Sequence, residues 1–238
     1  MVSSNIVGYQ KVNLDAGYNM IGMQFVEVGS ADAKALSTAA TLDSSMAGFD
    51  DEGTYATELM VWKNNNYTTY GWSGSSGTDV LEDSSFDNKW LNNDLEETDD
   101  ELDAPDAVWI KAATAGTVTV CGQVPSESTV TVPLAAGYNM VANPFPKTVK
   151  VADFGVLSAN LIGFDDEGTY ATEMMVWKNG NYTTYGWSGT SGTDVLEDSS
   201  LDNKWLNNDL EETDDTVDFG HGVWIKAATA GSITFTAE

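Results

Sequence analysis

The sequence predicts an all-β protein made of two similar antiparallel modules in tandem, each sandwich- or barrel-like, with little helix. Residues 48–117 recur at 163–232 without a gap, and only 11 of the 70 positions differ. A looser copy precedes each block, with LDAGYNM at 14–20 and LAAGYNM at 134–140. Short stretches of Val, Thr, Tyr and Trp alternate with clusters of Gly, Asn, Ser and Asp, as in proteins made of strands. A repeat of this length indicates one structural unit used twice.

The length and the repeat together set the domain organisation. The 238 residues suit two domains of ordinary size, each able to bury a core of its own. We expect the first β-module at 1–122 and the second at 129–238. The segment between them, 123–128, contains Pro125 and is expected to be a linker.

Apolar and alternating stretches place the strands within each module. Strands are predicted in the first module at Val7–Leu14, Tyr18–Met23, Met46–Phe49, Thr57–Lys63, Tyr67–Trp72, Ala107–Ala112 and Gly116–Cys121. In the second module they are predicted at Thr129–Leu134, Tyr138–Ala142, Leu161–Phe164, Thr172–Lys178, Tyr182–Trp187, Gly222–Ala227 and Ser232–Thr236. Helical signal is weak and is confined to Ala31–Leu36, Phe86–Leu95 and Val151–Leu157.

One hairpin can be predicted residue by residue. The second module has Asn179-Gly180 between two strand-like stretches, and Asn-Gly is the pair that a type I′ turn prefers because both central residues need a positive φ. The first module has Asn64-Asn65 at this point, which is compatible with the same turn. This turn places Trp62 opposite Tyr67 and fixes which residues share a face.

Both faces of this hairpin are apolar. One face carries Leu59, Val61, Tyr70 and Trp72 and is predicted to line the core. The opposite face is too apolar for a plainly solvated surface, so either a second layer covers it or it is a contact site. Alternation along 107–112 adds a tryptophan to that face. The candidate contact residues are Met60, Trp62, Tyr67 and Trp109, with their repeats Met175, Trp177, Tyr182 and Trp224.

The charge balance excludes several classes of partner. There are 37 acidic side chains against ten lysines, one histidine and no arginine, giving a net charge of −27. Nucleic acid is excluded because phosphate contacts need clustered basic residues, and an anionic membrane surface is excluded for the same reason. No apolar run approaches the roughly 20 residues of a membrane-spanning helix. Such a chain attracts cations or basic partners, or stays dissolved in salty surroundings.

The acidic residues are concentrated in loops. Residues 79–103 contain 11 carboxylates and residues 194–218 contain ten. Carboxylate and amide oxygens are what Ca²⁺ prefers, although the spacing does not match an EF-hand. These loops either bind a divalent cation or are simply solvated. The candidate ligands are Asp50, Asp51, Glu52, Asp94, Glu96, Asp99, Asp165, Asp166, Glu167, Asp209, Glu211 and Asp214.

Nothing in the sequence specifies catalysis. Carboxylates this dense place some pair at a glycosidase-like distance by chance, so that pattern has little specificity. His221 in the second module corresponds to Asp106 in the first, so it cannot belong to a site shared by both modules. Nucleophile-elbow, zinc-protease, P-loop and dinucleotide-binding motifs are absent from the sequence. We therefore expect no enzymatic activity.

The order of short motifs resembles that of tandem β-modules in secreted bacterial proteins of unknown function. In those modules a strand of the form Gly-x-Asn-aliphatic opens the unit, and a strand of the form Gly-aromatic-Trp-aliphatic followed by Lys or Val nearly closes it. Here the corresponding stretches are Gly17–Met20 with Ala107–Lys111, and Gly137–Met140 with Gly222–Lys226. The resemblance implies export and a non-catalytic extracellular role. MVSSNIVGYQ is not a secretory leader, so either the protein is not exported or a leader has been removed, and the resemblance favours the second reading.

Together these observations predict a secreted or cell-surface structural protein. We expect it to self-assemble into oligomers, filaments or matrix through its repeated β-modules, with Ca²⁺ as a candidate ion at the acidic loops. The alternative is a bivalent protein whose two modules each bind a glycan or another ligand, with avidity arising from their linkage.

Overall fold

A computed structural model describes residues 7–28, 34–49, 53–75, 84–98, 100–164, 168–189 and 199–237. The chain forms two compact units, Met1–Pro125 and Ser126–Glu238. The predicted all-β class is confirmed, because strands dominate both units and the described residues include one four-residue helical turn, Leu36–Ala39, and short 3₁₀ turns. The two units have corresponding sheets, as the repeat predicts.

The strands of the first module alternate between long and very short ones. They are β1 Val7–Leu14, β2 Gly17–Gly22, β3 Lys34–Ala35, β4 Ala40–Leu42, β5 Glu58–Lys63, β6 Asn66–Trp72, β7 Trp90–Leu91, β8 Glu101–Leu102, β9 Ala107–Ala112 and β10 Gly116–Gln123. They form a three-stranded sheet in the order β1-β10-β4, a five-stranded sheet in the order β2-β9-β5-β6-β7, and a ribbon of β3 with β8. The strand pairs are antiparallel.

The second module repeats this arrangement. Its strands are β11 Thr129–Leu134, β12 Gly137–Ala142, β13 Val149–Lys150, β14 Val156–Leu157, β15 Glu173–Lys178, β16 Asn181–Trp187, β17 Trp205–Leu206, β18 Thr216–Val217, β19 Gly222–Ala227 and β20 Gly231–Thr236. The sheets are β11-β20-β14, β12-β19-β15-β16-β17 and β13-β18.

Two chain segments in each module run through both large sheets. In the first module β1 pairs with β10 in one sheet, and after a bend β2 pairs with β9 in the other. Asn19 fixes this bend: the Asp15 N–H donates to Asn19 Oδ1 at 2.9 Å, and Asn19 Nδ2 donates to the Asp15 carbonyl at 2.8 Å. Gly17 has a φ of +99°, which favours glycine. The Gly-x-Asn motif is therefore a corner that lets strands change sheets.

The core of each module lies between its two large sheets. In the second module a single buried cluster includes Leu134 and Ile233 from the three-stranded sheet, and Ile225, Met174 and Trp187 from the five-stranded sheet. Both modules also bury a pair of edge-to-face tryptophans 5.1 Å apart, Trp72 with Trp90 and Trp187 with Trp205. The indole N–H of Trp205 donates to the Phe154 carbonyl at 2.9 Å, which ties the edge strand β17 to the rest of the module.

Several predicted elements are wrong. Met46–Phe49 and Leu161–Phe164 are turns whose only pairing is an isolated bridge at Phe49 and at Phe164. The predicted helix Phe86–Leu95 is a short 3₁₀ turn followed by strand β7, because Asn88 and Leu95 adopt positive φ values of 57° and 62°.

The other two helical predictions are only partly correct. Val151–Leu157 begins as one 3₁₀ turn, and Gly155 at φ +66° redirects the chain into β14. Within Ala31–Leu36, residues 31–33 lie outside the described residues and Lys34–Ala35 is strand β3. Strands of two residues leave no periodic signal, which is why pairs such as β3 and β8 escape sequence-based prediction.

Candidate functional site: an aromatic sheet face in each module

The predicted hairpin is confirmed in register and turn. Trp62 pairs with Tyr67 and Leu59 pairs with Tyr70. The turn residues Asn64 and Asn65 have φ values of 54° and 59°, and in the second module Asn179 and Gly180 have 51° and 78°. Both positive values fit a type I′ turn. The side chains of Leu59, Val61, Tyr70 and Trp72 are buried, as predicted.

The opposite side of the five-stranded sheet carries an ordered array that we call the aromatic face. In the first module it consists of Tyr18, Glu58, Met60, Trp62, Tyr67, Trp109 and Lys111, and in the second of Tyr138, Glu173, Met175, Trp177, Tyr182, Trp224 and Lys226. The array follows from register: Tyr18 pairs with Lys111, and Lys111 pairs in turn with Glu58. In the next row Trp109 lies between Met20 and Met60.

Exposure is uneven across this face. Trp109 and Trp224 are only 6% and 7% exposed, and Met60, Trp62, Met175 and Trp177 are half-buried. The tyrosines stand out into solvent, with Tyr18 at 52% and Tyr138 at 47%, and Tyr67 and Tyr182 are also exposed. Of the candidate contact residues, the two buried tryptophans therefore support the surface, whereas the tyrosines form it.

Ring geometry explains why the tryptophans are buried. Tyr18 lies edge-on to Trp109, with ring centroids 6.0 Å apart and planes at 86°. Trp62 and Tyr67 form a second edge-to-face pair at 4.8 Å. In the second module the Trp224 indole N–H donates to the Tyr182 hydroxyl at 3.1 Å. Burial raises the pKa of the Tyr67 hydroxyl, and a hydrogen bond with Trp109 opposes that shift. Each tryptophan is thus held between tyrosines.

One ion pair lies within each aromatic face. Lys111 Nζ is 2.9 Å from Glu58 Oε2, and Lys226 Nζ is 3.0 Å from Glu173 Oε2. Both side chains of each pair are partly exposed. The hydrogen bond that Lys226 donates to Glu173 raises the pKa of the Lys226 ammonium, so this pair stays ionised. The face is therefore electrically neutral on a chain of net charge −27.

A partial second layer covers one end of the face. The ring of Tyr55 lies over Gly71, where a Cβ would come within 1.8 Å of it, and Tyr170 lies in the same way over Gly186. Phe49 stacks on Tyr55 with centroids 4.9 Å apart. The sequence left open whether a second layer covers this side of the hairpin or whether it is an exposed contact surface. One end is covered, and the end that carries the tyrosines is exposed.

The acidic loop around residue 94 is organised by an asparagine. Asn92 Oδ1 accepts the N–H groups of Asp94 at 2.8 Å and Glu96 at 3.0 Å, and Leu95 takes a positive φ. Asn207 makes the same contacts with Asp209 and Glu211. The side chains of these four acidic residues are exposed. The loop backbone is therefore supported by hydrogen bonds from its own chain.

The remaining candidate ligands are distributed as follows. Asp214 pairs with Lys150 at 2.7 Å, which lowers the pKa of its carboxyl. Outside the described residues lie Asp50, Asp51, Glu52, Asp99, Asp165, Asp166 and Glu167. Among the residues that the structure describes, no group of three or more His, Cys, Asp or Glu side chains converges as a metal site.

Sequence reasoning missed the acidic residues that contact the core. The Tyr70 hydroxyl donates to Asp100, and the Tyr185 hydroxyl donates to Asp215 at 2.7 Å. Burial and the neighbouring carboxylate raise the pKa of both phenols, and the hydrogen bonds from the phenols lower the pKa of both carboxyls. These pairs span 30 residues of sequence, and their carboxylates directly precede the two-residue strands β8 and β18. The repeat itself was the available signal, because both pairs recur at the same spacing.

No protein-family model, curated protein or solved structure matches this chain. The resemblance to tandem modules of secreted bacterial proteins therefore stays a prediction. In the described part of the chain, no helix has the length and apolar character needed to cross a membrane.

Proposed function

We propose that this protein is a non-catalytic extracellular binding protein that holds an extended partner through two equivalent aromatic faces, one on each module. The proposal rests on one observation: each face carries an exposed tyrosine on its edge strand, Tyr18 on β2 and Tyr138 on β12, in a short stretch that both modules share outside the long repeat. It adopts the ligand-binding alternative that the sequence left open.

The comparison of two exposed tyrosines carries this argument. Tyr18 is 52% exposed and has the counterpart Tyr138 in the second module. Tyr9 is 74% exposed, and its position in the second module is Thr129. Both side chains are more than half exposed to solvent. The tyrosine on the aromatic face has a second copy, and the tyrosine outside it does not.

Two faces on one chain favour binding to a long or repetitive partner. Once one face is occupied, the other meets the same partner at an effective concentration in the millimolar range for a short connection. Weak contacts at each face then combine into useful affinity. Such a protein would retain or link material in a cell surface layer or matrix, and none of this requires a catalytic group.

Self-assembly remains the second candidate, and a different feature favours it. Strand β1 pairs with β10 on one side, and no described residue pairs with its other edge. Its exposed residues include Val7 and Tyr9, and an open edge with apolar side chains can add another strand. The corresponding strand β11 contains Pro133, which lacks an N–H donor. Pairing of two chains through β1 alone joins chains in pairs rather than in filaments.

Co-sedimentation with isolated cell envelopes of the source organism tests the proposed function. We compare the natural chain, Tyr18→Ala, the double variant Tyr18→Ala/Tyr138→Ala, and Tyr9→Ala as the control for an exposed tyrosine elsewhere. The single variant should bind weakly because avidity is lost, and the double variant should remain in solution. Binding by the double variant at the level of the natural chain would refute the proposal.

Sedimentation velocity of the same proteins tests the second candidate. Concentration-dependent association that Tyr9→Ala abolishes and Tyr18→Ala/Tyr138→Ala preserves would assign self-assembly to β1. If the natural chain is monomeric at every concentration, self-assembly is ruled out as the function.

We also propose that Ca²⁺ associates with the acidic loops mainly through their charge, because Asn92 and Asn207 already support the loop backbones. Adding CaCl₂ or EDTA at constant ionic strength should then change the melting temperature only slightly, and Mg²⁺ should match Ca²⁺. A large rise specific to Ca²⁺ would instead indicate a built site, since tight binding to the native state alone stabilises it by mass action.

A further inference from the structure

We infer that the partner held on each aromatic face is a neutral, hydroxyl-rich glycan chain. This inference rests on the proposed function and names the chemical class of its ligand. It follows from the charge of the face, from the way its rings are presented, and from the donor and acceptor that lie between them.

Charge restricts the ligand first. Glu58 and Lys111 neutralise each other at 2.9 Å, so the face offers no unpaired ion to a charged ligand. The rest of the chain carries a net charge of −27 and repels anionic polymers, including a second copy of itself. A polycation would be drawn to the acidic loops rather than to a neutral face. An uncharged ligand is neither repelled by the negative charge of the chain nor drawn away to the acidic loops.

The rings supply apolar contact at separate points. Tyr18 is 52% exposed and its ring stands at 86° to Trp109, so the two rings do not stack face to face. Tyr67 is exposed at the other side of the same tryptophan. Ring faces with a hydroxyl at the tip suit partners that are apolar on one side and hydroxylated at the rim, as sugar rings are. A flat apolar protein surface would instead be expected to meet contiguous exposed apolar area.

The ion pair supplies hydrogen bonds in the pattern that sugars need. A carboxylate only accepts and an ammonium only donates, and here the two lie side by side. Neighbouring hydroxyls of one sugar can donate to Glu58 and accept from Lys111 at the same time. Both side chains remain partly exposed, so a ligand can reach them.

The row direction makes the site elongated. Tyr18, Lys111 and Glu58 lie opposite one another on three neighbouring strands. Strands are about 4.8 Å apart, so this row extends about 10 Å across the sheet. A chain of sugars crossing the strands would contact the ring of Tyr18 first and then the ion pair. The second module offers the same row in Tyr138, Lys226 and Glu173.

Affinity electrophoresis of the full chain tests the inference directly. Native gels contain a neutral soluble polysaccharide (hydroxyethylcellulose, xyloglucan, galactomannan or dextran) or an anionic one (alginate or polygalacturonate). We expect retardation by at least one neutral polymer and by neither anionic polymer. The double variant Tyr18→Ala/Tyr138→Ala should lose about tenfold or more in affinity, and Tyr9→Ala should bind like the natural chain.

A second variant separates glycan recognition from general stickiness. Glu58→Gln/Glu173→Gln keeps the shape of the face but leaves Lys111 and Lys226 uncompensated. It should bind the neutral polymer several-fold more weakly and begin to bind alginate. Circular dichroism confirms that each variant is folded before binding is compared.

Three outcomes overturn the inference. The first is equal or stronger retardation of the natural chain by an anionic polymer. The second is a face-to-face dimer that the double tyrosine variant abolishes, which would make the partner a second copy. The third is absence of binding to every neutral polymer while cell envelopes are still bound through Tyr18 and Tyr138; in that case the proposed function stands and only the ligand class is wrong.

Discussion

Within the long repeat, the sequence differences between the two modules lie outside the aromatic face. Six of the 11 differences between the long repeats lie at 101–107, in β8, its loop and the start of β9. No difference falls on Glu58, Met60, Trp62, Tyr67, Trp109 or Lys111. Outside the long repeat the sequences diverge widely, yet the corner formed by Gly17 and Asn19 recurs as Gly137 and Asn139 with the same hydrogen bonds. The comparison separates features that the fold requires from features that vary freely.

The largest effect is expected at the corners. Asn19→Ala and Asn139→Ala each remove the side chain that joins the two sheets, and leave backbone groups near residues 15 and 135 without partners. We expect each change to lower the free energy of unfolding of its own module by about 2–3 kcal/mol. Urea unfolding followed by hydrogen–deuterium exchange, assigned to each module, measures this.

Asn13→Ala is the control, because Asn13 is exposed on β1 and should cost almost nothing. If one corner variant were as stable as this control, the shared motif would not be a shared determinant of the fold.

The next effect concerns the phenol–carboxylate pairs. Tyr70→Phe and Tyr185→Phe remove the hydrogen bonds to Asp100 and Asp215. Each change should lower the free energy of unfolding by about 1–2 kcal/mol at neutral pH. Because these bonds hold the carboxyl pKa values below their ordinary range, the stabilisation is present above about pH 4 and is lost as pH falls through the lowered pKa.

Chemical unfolding of both variants at pH 7 and pH 2 checks this. The difference in free energy of unfolding between each variant and the natural chain should be larger at pH 7 than at pH 2. A difference that did not change with pH would show that the hydroxyls act without the carboxylates.

A smaller effect distinguishes the modules by pH. Burial lowers the pKa of His221, so the second module loses stability as pH falls below about 6.5. At the same position burial raises the pKa of Asp106, so its stabilising influence is complete only below about pH 4 and is lost as pH rises through the raised value. Between pH 7 and pH 5 the second module should therefore weaken relative to the first.

The repeat supplies the matched variant for this prediction. His221→Asp places the residue of the first module in the second. It should remove the loss of stability of the second module between pH 7 and pH 5. Hydrogen–deuterium exchange in each module, corrected for the intrinsic exchange rate at each pH, measures this. Persistence of the loss in that variant would assign it to another group.

The smallest effect lies in the hairpin turns. Asn65 has a φ of 59°, a value that glycine adopts more easily, and the second module already has Gly180 there. Asn65→Gly should stabilise the first module by about 0.5–1 kcal/mol, and Gly180→Asn should destabilise the second by a similar amount. Paired urea titrations measure both. If the two substitutions changed the free energy of unfolding in the same direction, this explanation would be contradicted.

Local signals predicted local structure well. The hairpin followed from a turn pair and two-residue alternation, and the burial of Leu59 and Trp72 followed from its register. The role of Asn19 did not follow, because its side chain acts on a bend that exists only once β2 has paired with β9, some 90 residues away. The short edge strand β7 was missed for the same reason: Trp90 and Leu91 acquire their conformation from pairing with β6.

The site was predictable only in part. Alternation placed Trp62, Tyr67 and Trp109 on one side of the sheet, and register confirmed it. The contribution of Tyr18 was missed, because a ring at the sheet edge joins the face only through pairing with Lys111. The metal-binding prediction for the acidic loops stays a prediction, whereas the hydrogen bonds by which Asn92 and Asn207 support the loop backbones could not be read from composition.

Each module closes by joining its beginning to its end, since Val7 pairs with Gln123 and Thr129 pairs with Thr236. A ribosome must therefore release nearly the whole of a module before that module's first strand finds its neighbour. Pairing across such distances is slow compared with helix formation. Each half would thus remain unfolded for most of its own synthesis and would acquire its shape only near the end of it.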